Sequence, residues 1–266
     1  LTVNLEQRGF DSDRTEFNRY HALYRGAADV GSARFHVNAD VSILPQDPAG
    51  NLLLRDGPTV YSELPVDANY NPAGAKLDQE RYHLALGLDG KSSLGDWSTS
   101  LAVTRTGNDL LRGFLRGGVF TDPPDAGVGD GLQADGYSQT IWITDVYFDA
   151  HVTIDMSEAL KLTYGVDYLH GSGSQNAVNF GYCVDVDGNE FTCDGAHHDD
   201  EIASSEDQRD FAGLYTQVAW KLAHDIDLLV GLRHNHTRET AGGRAINNTF
   251  EDERTKDRLS GIIGAN

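Results

Sequence analysis

Hydrophobic and polar residues alternate along most of this chain. The pattern is cleanest over Ser32–Leu44, where Ala33, Phe35, Val37, Ala39, Val41 and Ile43 share one face. Ser32, Arg34, His36, Asn38, Asp40 and Ser42 share the other. Successive side chains of an extended strand point to opposite faces, so a period of two predicts strand. The same alternation predicts strands over Glu80–Gly90 (Tyr82, Leu84, Leu86, Leu88), Asp96–Thr106 (Trp97, Thr99, Leu101, Val103), Ser138–Ile154 (Trp142, Val146, Phe148, Val152) and Leu160–Gly171 (Leu162, Tyr164, Val166, Tyr168). It is present over Leu1–Gly9 and blurred by Phe17 and Leu23 over Glu16–Ala27. Phe211–His236 reads as two such runs around a short turn, Ala223–Asp225, which predicts an antiparallel hairpin. A tenth strand is expected to begin near Arg254.

These runs reach about eleven residues, whereas strands of soluble proteins are mostly about five or six. About nine to eleven tilted residues cross a bilayer. The connections also alternate. Ala28–Gly31, Lys91–Gly95, Asp155–Glu158 and Ala223–Asp225 are short, while Pro45–Gln79, Gly107–Tyr137, Ser172–Gln208 and Arg238–Glu253 are long. Short turns at one end and long loops at the other characterise bacterial outer-membrane barrels. The polar face then lines a water-filled lumen; the competing reading is a soluble antiparallel sheet with one wet face. Trp97 and Trp220 fall beside short turns on the apolar face, where a periplasmic aromatic girdle is expected.

The stretch GLYTQVAWKL, a short turn and DLLVGLRHN resembles a barrel hairpin of TonB-dependent outer-membrane receptors. The matching positions are Tyr215, Gln217, Trp220, Gly231, Arg233 and His234, followed by Asn235. The resemblance implies an all-β fold: an antiparallel up-and-down transmembrane β-barrel in which these 266 residues supply about ten of 22 strands. It implies a bacterial outer-membrane location and active uptake of a scarce ligand, such as a ferric siderophore, with energy from TonB. Residues 1–266 are then expected to form part of the barrel domain, without the plug, TonB box or signal peptide. Leu1, Val3 and Leu5 already alternate, so an internal piece of a longer protein is expected. Implied partners are the TonB complex, a metal chelate or other small ligand, and outer-membrane lipid and lipopolysaccharide. No enzyme activity and no cofactor are implied. Two alternatives remain: a passive porin, and a ten-stranded outer-membrane protease with Asp207, Asp210 and His170 at its rim.

Composition narrows the choice. A net charge of −20 argues against nucleic acid as a partner, since phosphate binding needs clustered Lys and Arg. No apolar run approaches the ~20 residues of a membrane helix, which leaves a barrel open. The two cysteines, Cys183 and Cys193, are expected to form a local disulfide in an oxidising compartment.

Candidate chemistry lies in the long segments. Arg112 and Arg116 flank Phe114, a basic and aromatic cluster suited to carboxylate or catecholate oxygens; balancing the surrounding acids is the plainer role. Tyr137, Tyr182, His197 and His198 complete the expected ligand-binding set. The segment from Asp185 to Asp207 is strongly acidic and attracts cations, or simply solvates a surface loop. Asp185, Asp187 and Asn189 lack the spacing of a calcium loop, and adjacent His197 and His198 seldom converge on one metal ion, so no metal site is assigned. Inner-face Arg34, His36, Asp40, Arg81, His83, Asp145, Asp149, His151, Lys161, Asp167 and Arg233 are expected to form cross-strand ion pairs.

Overall fold

The computed structural model describes residues 1–9, 15–49, 54–55, 59–60, 68–115, 132–185, 187–191, 201–223, 226–245 and 248–265. Ten long strands follow one another in a single antiparallel sheet. They are β1 (Thr2–Gly9), β2 (Glu16–Val30), β3 (Ala33–Leu44), β6 (Lys76–Ser92), β7 (Gly95–Leu115), β8 (Leu132–Ser157), β9 (Leu160–Val184), β11 (Glu201–Ala223), β12 (Ile226–Ala245) and β13 (Asn248–Ala265). Short strand β10 (Glu190–Phe191) folds back on β9, and β4 (Leu54–Arg55) pairs with β5 (Thr59–Val60) apart from the main sheet. Each long strand pairs with its sequence neighbours, which is the up-and-down barrel-wall topology expected. The sheet is open, with β1 at one edge and β13 at the other.

The hairpin ends expected to be short are short. Val30 pairs with Ala33 across Gly31–Ser32, and Gly31 takes φ +63°, the left-handed geometry that tight hairpins require of a central residue. Register shifts at Asp155/Ser157 and Lys221/Ala223 place two bulges at this rim.

The opposite ends differ from expectation. The strands run well past their apolar stretches, up to 26 residues in β8. Arg112 and Phe114 therefore belong to β7, Tyr137 to β8 and Tyr182 to β9, rather than to loops. The segment Arg238–Glu253 is not a long loop: β12 and β13 stay paired up to Ala245 and Asn248. Beyond the bilayer both faces of a strand can be polar, so the alternation that reveals a strand fades while its backbone ladder continues.

Pairing preserves the faces throughout. The outward face carries Leu86, Leu101, Phe148 and Tyr168 in one row, and the inward face Asp89, Ser98, His151 and Tyr215. One hydrogen-bonded row passes from Val103 and Val146 to His170, Asp210 and Arg238. The same row is thus apolar on β7 and β8 and polar on β9 to β12. The apolar band slips by about one residue per strand. With ~3.3 Å per residue and ~4.8 Å between strands, the slip corresponds to a strand tilt of roughly 35°, within the range for membrane barrels.

Aromatic side chains mark both edges of this band. Trp97 and Trp220 lie on the outward face beside the short turns. Towards the long ends, the Arg105 guanidinium stacks on Trp142 at 4.4 Å, and the Tyr82 hydroxyl donates to Glu80 at 2.9 Å. Both pairs keep charge at the band's upper margin.

A small protein core forms above the band. Ala68, Tyr70, Ala134, Tyr182 and Val184 are buried together, with Phe180 against them. The segment 68–72 lies across the outward face of the β7–β9 extension. Tyr182 donates its hydroxyl to the Tyr70 carbonyl at 2.6 Å, and the Gly113 amide donates to Asn71 Oδ1 at 2.9 Å. Asn71 Nδ2 donates to the Pro48 carbonyl at 3.4 Å and the Ala49 carbonyl at 3.3 Å. Gly113 is required here, because a Cβ would run into Tyr182 and Pro72.

Candidate functional site: the inner face and its outer rim

The inward face of the band is an ordered polar wall. Arg233 donates to Asp167 at 2.7 Å and to Asn235 at 2.6 Å. Asp167 is buried, with 4% of its side chain exposed, so the guanidinium is what compensates its charge. Tyr215 donates to Asp149 at 3.1 Å, and His151 meets Asp149 at 2.8 Å. Gly165 and Gly213 leave space for these groups: a Cβ on Gly165 would clash with Tyr215, and one on Gly213 with Asp167 and Arg233. His21 with Asp40 at 2.8 Å and His36 with Asp89 at 3.3 Å continue the pattern on β2, β3 and β6. Lys161 pairs with Asp155 on the same wall at 3.2 Å. The expected cross-strand pairs are therefore present for His36, Asp40, Lys161, Asp167 and Arg233, those of histidine being ionic only when the imidazole is protonated, whereas His151 and Asp149 meet within β8. Arg34, Arg81 and Asp145 make none among the described residues, and His83 bonds Thr104 instead, at 2.8 Å.

The inner face continues upward into a pocket of about 500 Å³ lined by Phe114, Asp135, Tyr137, Asn179 and Glu201. Register builds it. Arg112 sits opposite Tyr137, and Phe114 opposite Asp135. Tyr137 pairs with Asn179, which pairs with Glu201. The Arg112 guanidinium stacks on Phe114 at 4.3 Å, and its Nε is buried without a hydrogen-bond partner. An unsatisfied buried donor costs about 1–3 kcal/mol until something accepts from it.

Of the expected ligand-binding residues, Arg112, Phe114 and Tyr137 come together on this inner face. Tyr182 does not: it lies on the opposite face, buried beneath segment 68–72. Arg116, His197, His198 and Cys193 lie outside the described residues. Cys183 is buried near the end of β9, and no free cysteine occurs among the described residues. Asp135 and Asn179 escape sequence reasoning, and Glu201 stands out only as part of the acidic segment, since only the pairing register brings them to the pocket.

Asp185 closes its own turn. Asn189 donates its side-chain amide at 3.0 Å and its backbone amide at 2.8 Å, and Asp187 adds a backbone amide at 3.0 Å. Those bonds from Asn189, followed by the backbone ones, hold the Asp185 carboxyl below its ordinary range. Burial, then the charges of Asp187 and Asp185, raise the Tyr70 hydroxyl above its ordinary value. No metal-holding group of His, Cys, Asp and Glu occurs among the described residues.

The protease set is split by the strand. His170 and Tyr168 both bond Asp210, at 2.8 and 2.6 Å, on the outward face. Asp207, three residues away on β11, faces inward.

No family model matches this sequence, and no curated protein does. Solved structures do. The siderophore receptor PiuA from Acinetobacter baumannii aligns over 99% of this chain and 42% of its own, with 11% identity and a TM-score of 0.60. The ferripyoverdine receptor of the outer membrane of Pseudomonas aeruginosa aligns over 99% and 35%, with 13% identity and a TM-score of 0.58. The ferric yersiniabactin uptake receptor FyuA from Yersinia pestis aligns over 99% and 38%, with 12% identity and a TM-score of 0.57. The chain thus spans less than half the length of each receptor. Nearly all of it aligns with each of these receptors, and its up-and-down antiparallel sheet has the fold of part of the barrel of TonB-dependent siderophore receptors.

Proposed function

We propose that the intact protein is a receptor of the bacterial outer membrane that takes up a scarce small ligand of the ferric-siderophore class, with energy supplied through TonB. Residues 1–266 would be part of its barrel domain. The observation that carries this reading is the wall itself: an apolar outward band, an ion-paired inward face, and a stacked Arg112–Phe114 pair at the pocket above it. The pocket groups would meet ligand at the outer mouth, and the ion-paired wall would line its route. Cys183 and Cys193 would form a bridge that ties the end of β9 to the segment before β11. The outward rim of Arg105, Trp142 and Tyr82 would contact lipid and lipopolysaccharide headgroups. The reading makes the protein a transporter without covalent chemistry.

The test is uptake of radioiron from a panel of ferric siderophores by cells grown without available iron. Deleting the gene should abolish uptake of one class, and deleting tonB should have the same effect. Uptake unchanged by the first deletion would overturn the receptor reading. Uptake lost in the first and kept in the second would indicate a passive pore.

A further inference from the structure

Three successive rows of the inward face form a trough above the paired Asp149, Asp167 and Arg233. The first row sets Asp145, Gly171, Arg209 and Glu239 side by side. In the second stand Ile143, Gly173, Asp207 and Ala241, and in the third Ile141, Gln175, Ser205 and Gly243. Gly171 and Gly173 remove the side chains of β9 from the middle of this surface. A groove of about 590 Å³ results. A side chain at Gly173 would meet nothing closer than the Trp142 carbonyl at 3.9 Å, so the floor is open; a Cβ added at Gly171 would lie 2.8 Å from the Asp145 carboxylate.

Two features define this groove. Its β8 side carries Ile141 and Ile143 above Asp145, and Ile143 is 43% exposed. Leu169 extends the apolar strip at the base. Apolar side chains on a wetted face mark a place where something apolar is received. The charge of the groove is also unbalanced. Arg209 is held by Glu239 at 3.2 Å, and no ion pair engages Asp145 or Asp207 among the described residues. Two carboxylates therefore face the trough beside the isoleucines.

We propose that this groove binds a cationic group, an ammonium or guanidinium, carried on an apolar stem. The stem lies along Ile141 and Ile143 over the glycine floor, and the cation sits between Asp145 and Asp207. Charge complementarity decides the occupant: a carboxylate or phosphate on the same stem would be repelled. The assignment rests on the receptor reading and narrows it, giving the cargo a basic arm. In an acidic chain of net charge −20 the wall already favours cations, and the isoleucine strip selects those with an apolar stem.

The experiment uses the full-length protein in detergent, titrated calorimetrically with phenethylammonium and, as a neutral control of equal shape, 2-phenylethanol. Two variants are compared with the natural protein: the double substitution Asp145→Asn with Asp207→Asn, and Gly173→Leu, which fills the floor. The natural protein should bind phenethylammonium saturably. The Asn pair should weaken that binding about ten-fold while leaving the alcohol unchanged. Gly173→Leu should weaken both. Absence of saturable binding to the natural protein, or equal binding by the Asn pair, would overturn the assignment. Radioiron uptake separates the two levels: loss of uptake on gene deletion, together with unaltered phenethylammonium binding by the Asn pair, would remove the groove assignment and leave the receptor reading standing.

Discussion

Two stretches of the same outward face show how one backbone serves two solvents. Within the band, Val166 is 45% and Leu214 60% exposed, although both are apolar. Above the band, on the same face and in the same unbroken register, Tyr182 is 5% and Val184 0% exposed. The difference is what covers them. The first set forms the apolar band suited to lipid; segment 68–72 covers the second. Outward apolar residues in the band are thus matched to hydrocarbon, and those of the extension to a protein core anchored by Tyr70 and the Asn69–Asn71 turn. A cluster of large apolar groups on a strand end free of lipid is thus buried by protein instead.

The largest test of this contrast is a charge placed on each half. Val166→Arg, near the middle of the band, should cost about 2–4 kcal/mol in equilibrium unfolding from lipid vesicles. Gln208→Arg, on the same face but above the band, should stay within about 0.5 kcal/mol. Equal costs would mean that the band is misplaced.

Next in size is the inner wall, where charge is matched by protein rather than solvent. Arg233→Ala leaves buried Asp167 without its cation and should cost about 1.5–3 kcal/mol in the same measurement. A loss much smaller than this would show that water reaches Asp167 freely.

A third, smaller effect sits in the extension. Tyr182→Phe removes the hydrogen bond to the Tyr70 carbonyl and should cost about 0.5–1.5 kcal/mol. The consequence should be local: faster hydrogen exchange at the Gly113 amide, with the band unaffected. Exchange accelerated along the whole of β7 would argue that the extension and band unfold as one unit.

The smallest effect is the pH response of the turn at Asp185–Asn189. Hydrogen bonds depress the Asp185 carboxyl, so folding of this turn is favoured above the ordinary carboxylate range. That contribution is lost as pH falls through the depressed folded value. Amide exchange at Asn189 should therefore speed up, after correction for intrinsic rate, only in strongly acidic solution. Asp185→Asn should abolish the acid dependence.

Legibility in the sequence followed the membrane. Ser32–Leu44, Glu80–Gly90 and the Phe211–His236 hairpin alternate cleanly, because hydrocarbon outside and water inside impose opposite demands on successive residues. Where both faces meet water, that demand vanishes. Hence Arg238–Glu253 read as a loop, although β12 and β13 pair through it. Arg112, Phe114 and Tyr137 stood out by residue type and do converge; Tyr182 stood out for the same reason and faces the other way. A tyrosine in sequence carries no sign of whether its hydroxyl serves a ligand or a neighbouring carbonyl.

The sequence by itself determined which segments cross the bilayer and which face of each is apolar, since strand periodicity is a property of the local chain. The tertiary structure alone decided the register, and with it everything that depends on neighbours in space. Register sets the roughly 35° tilt that slides Val103 level with Asp210. It gathers Asp135, Asn179 and Glu201 around Phe114, and it opens the glycine-floored groove between Ile143 and Asp207. Pairing partners are chosen by the summed ladder of many residues, and no single residue announces its partner.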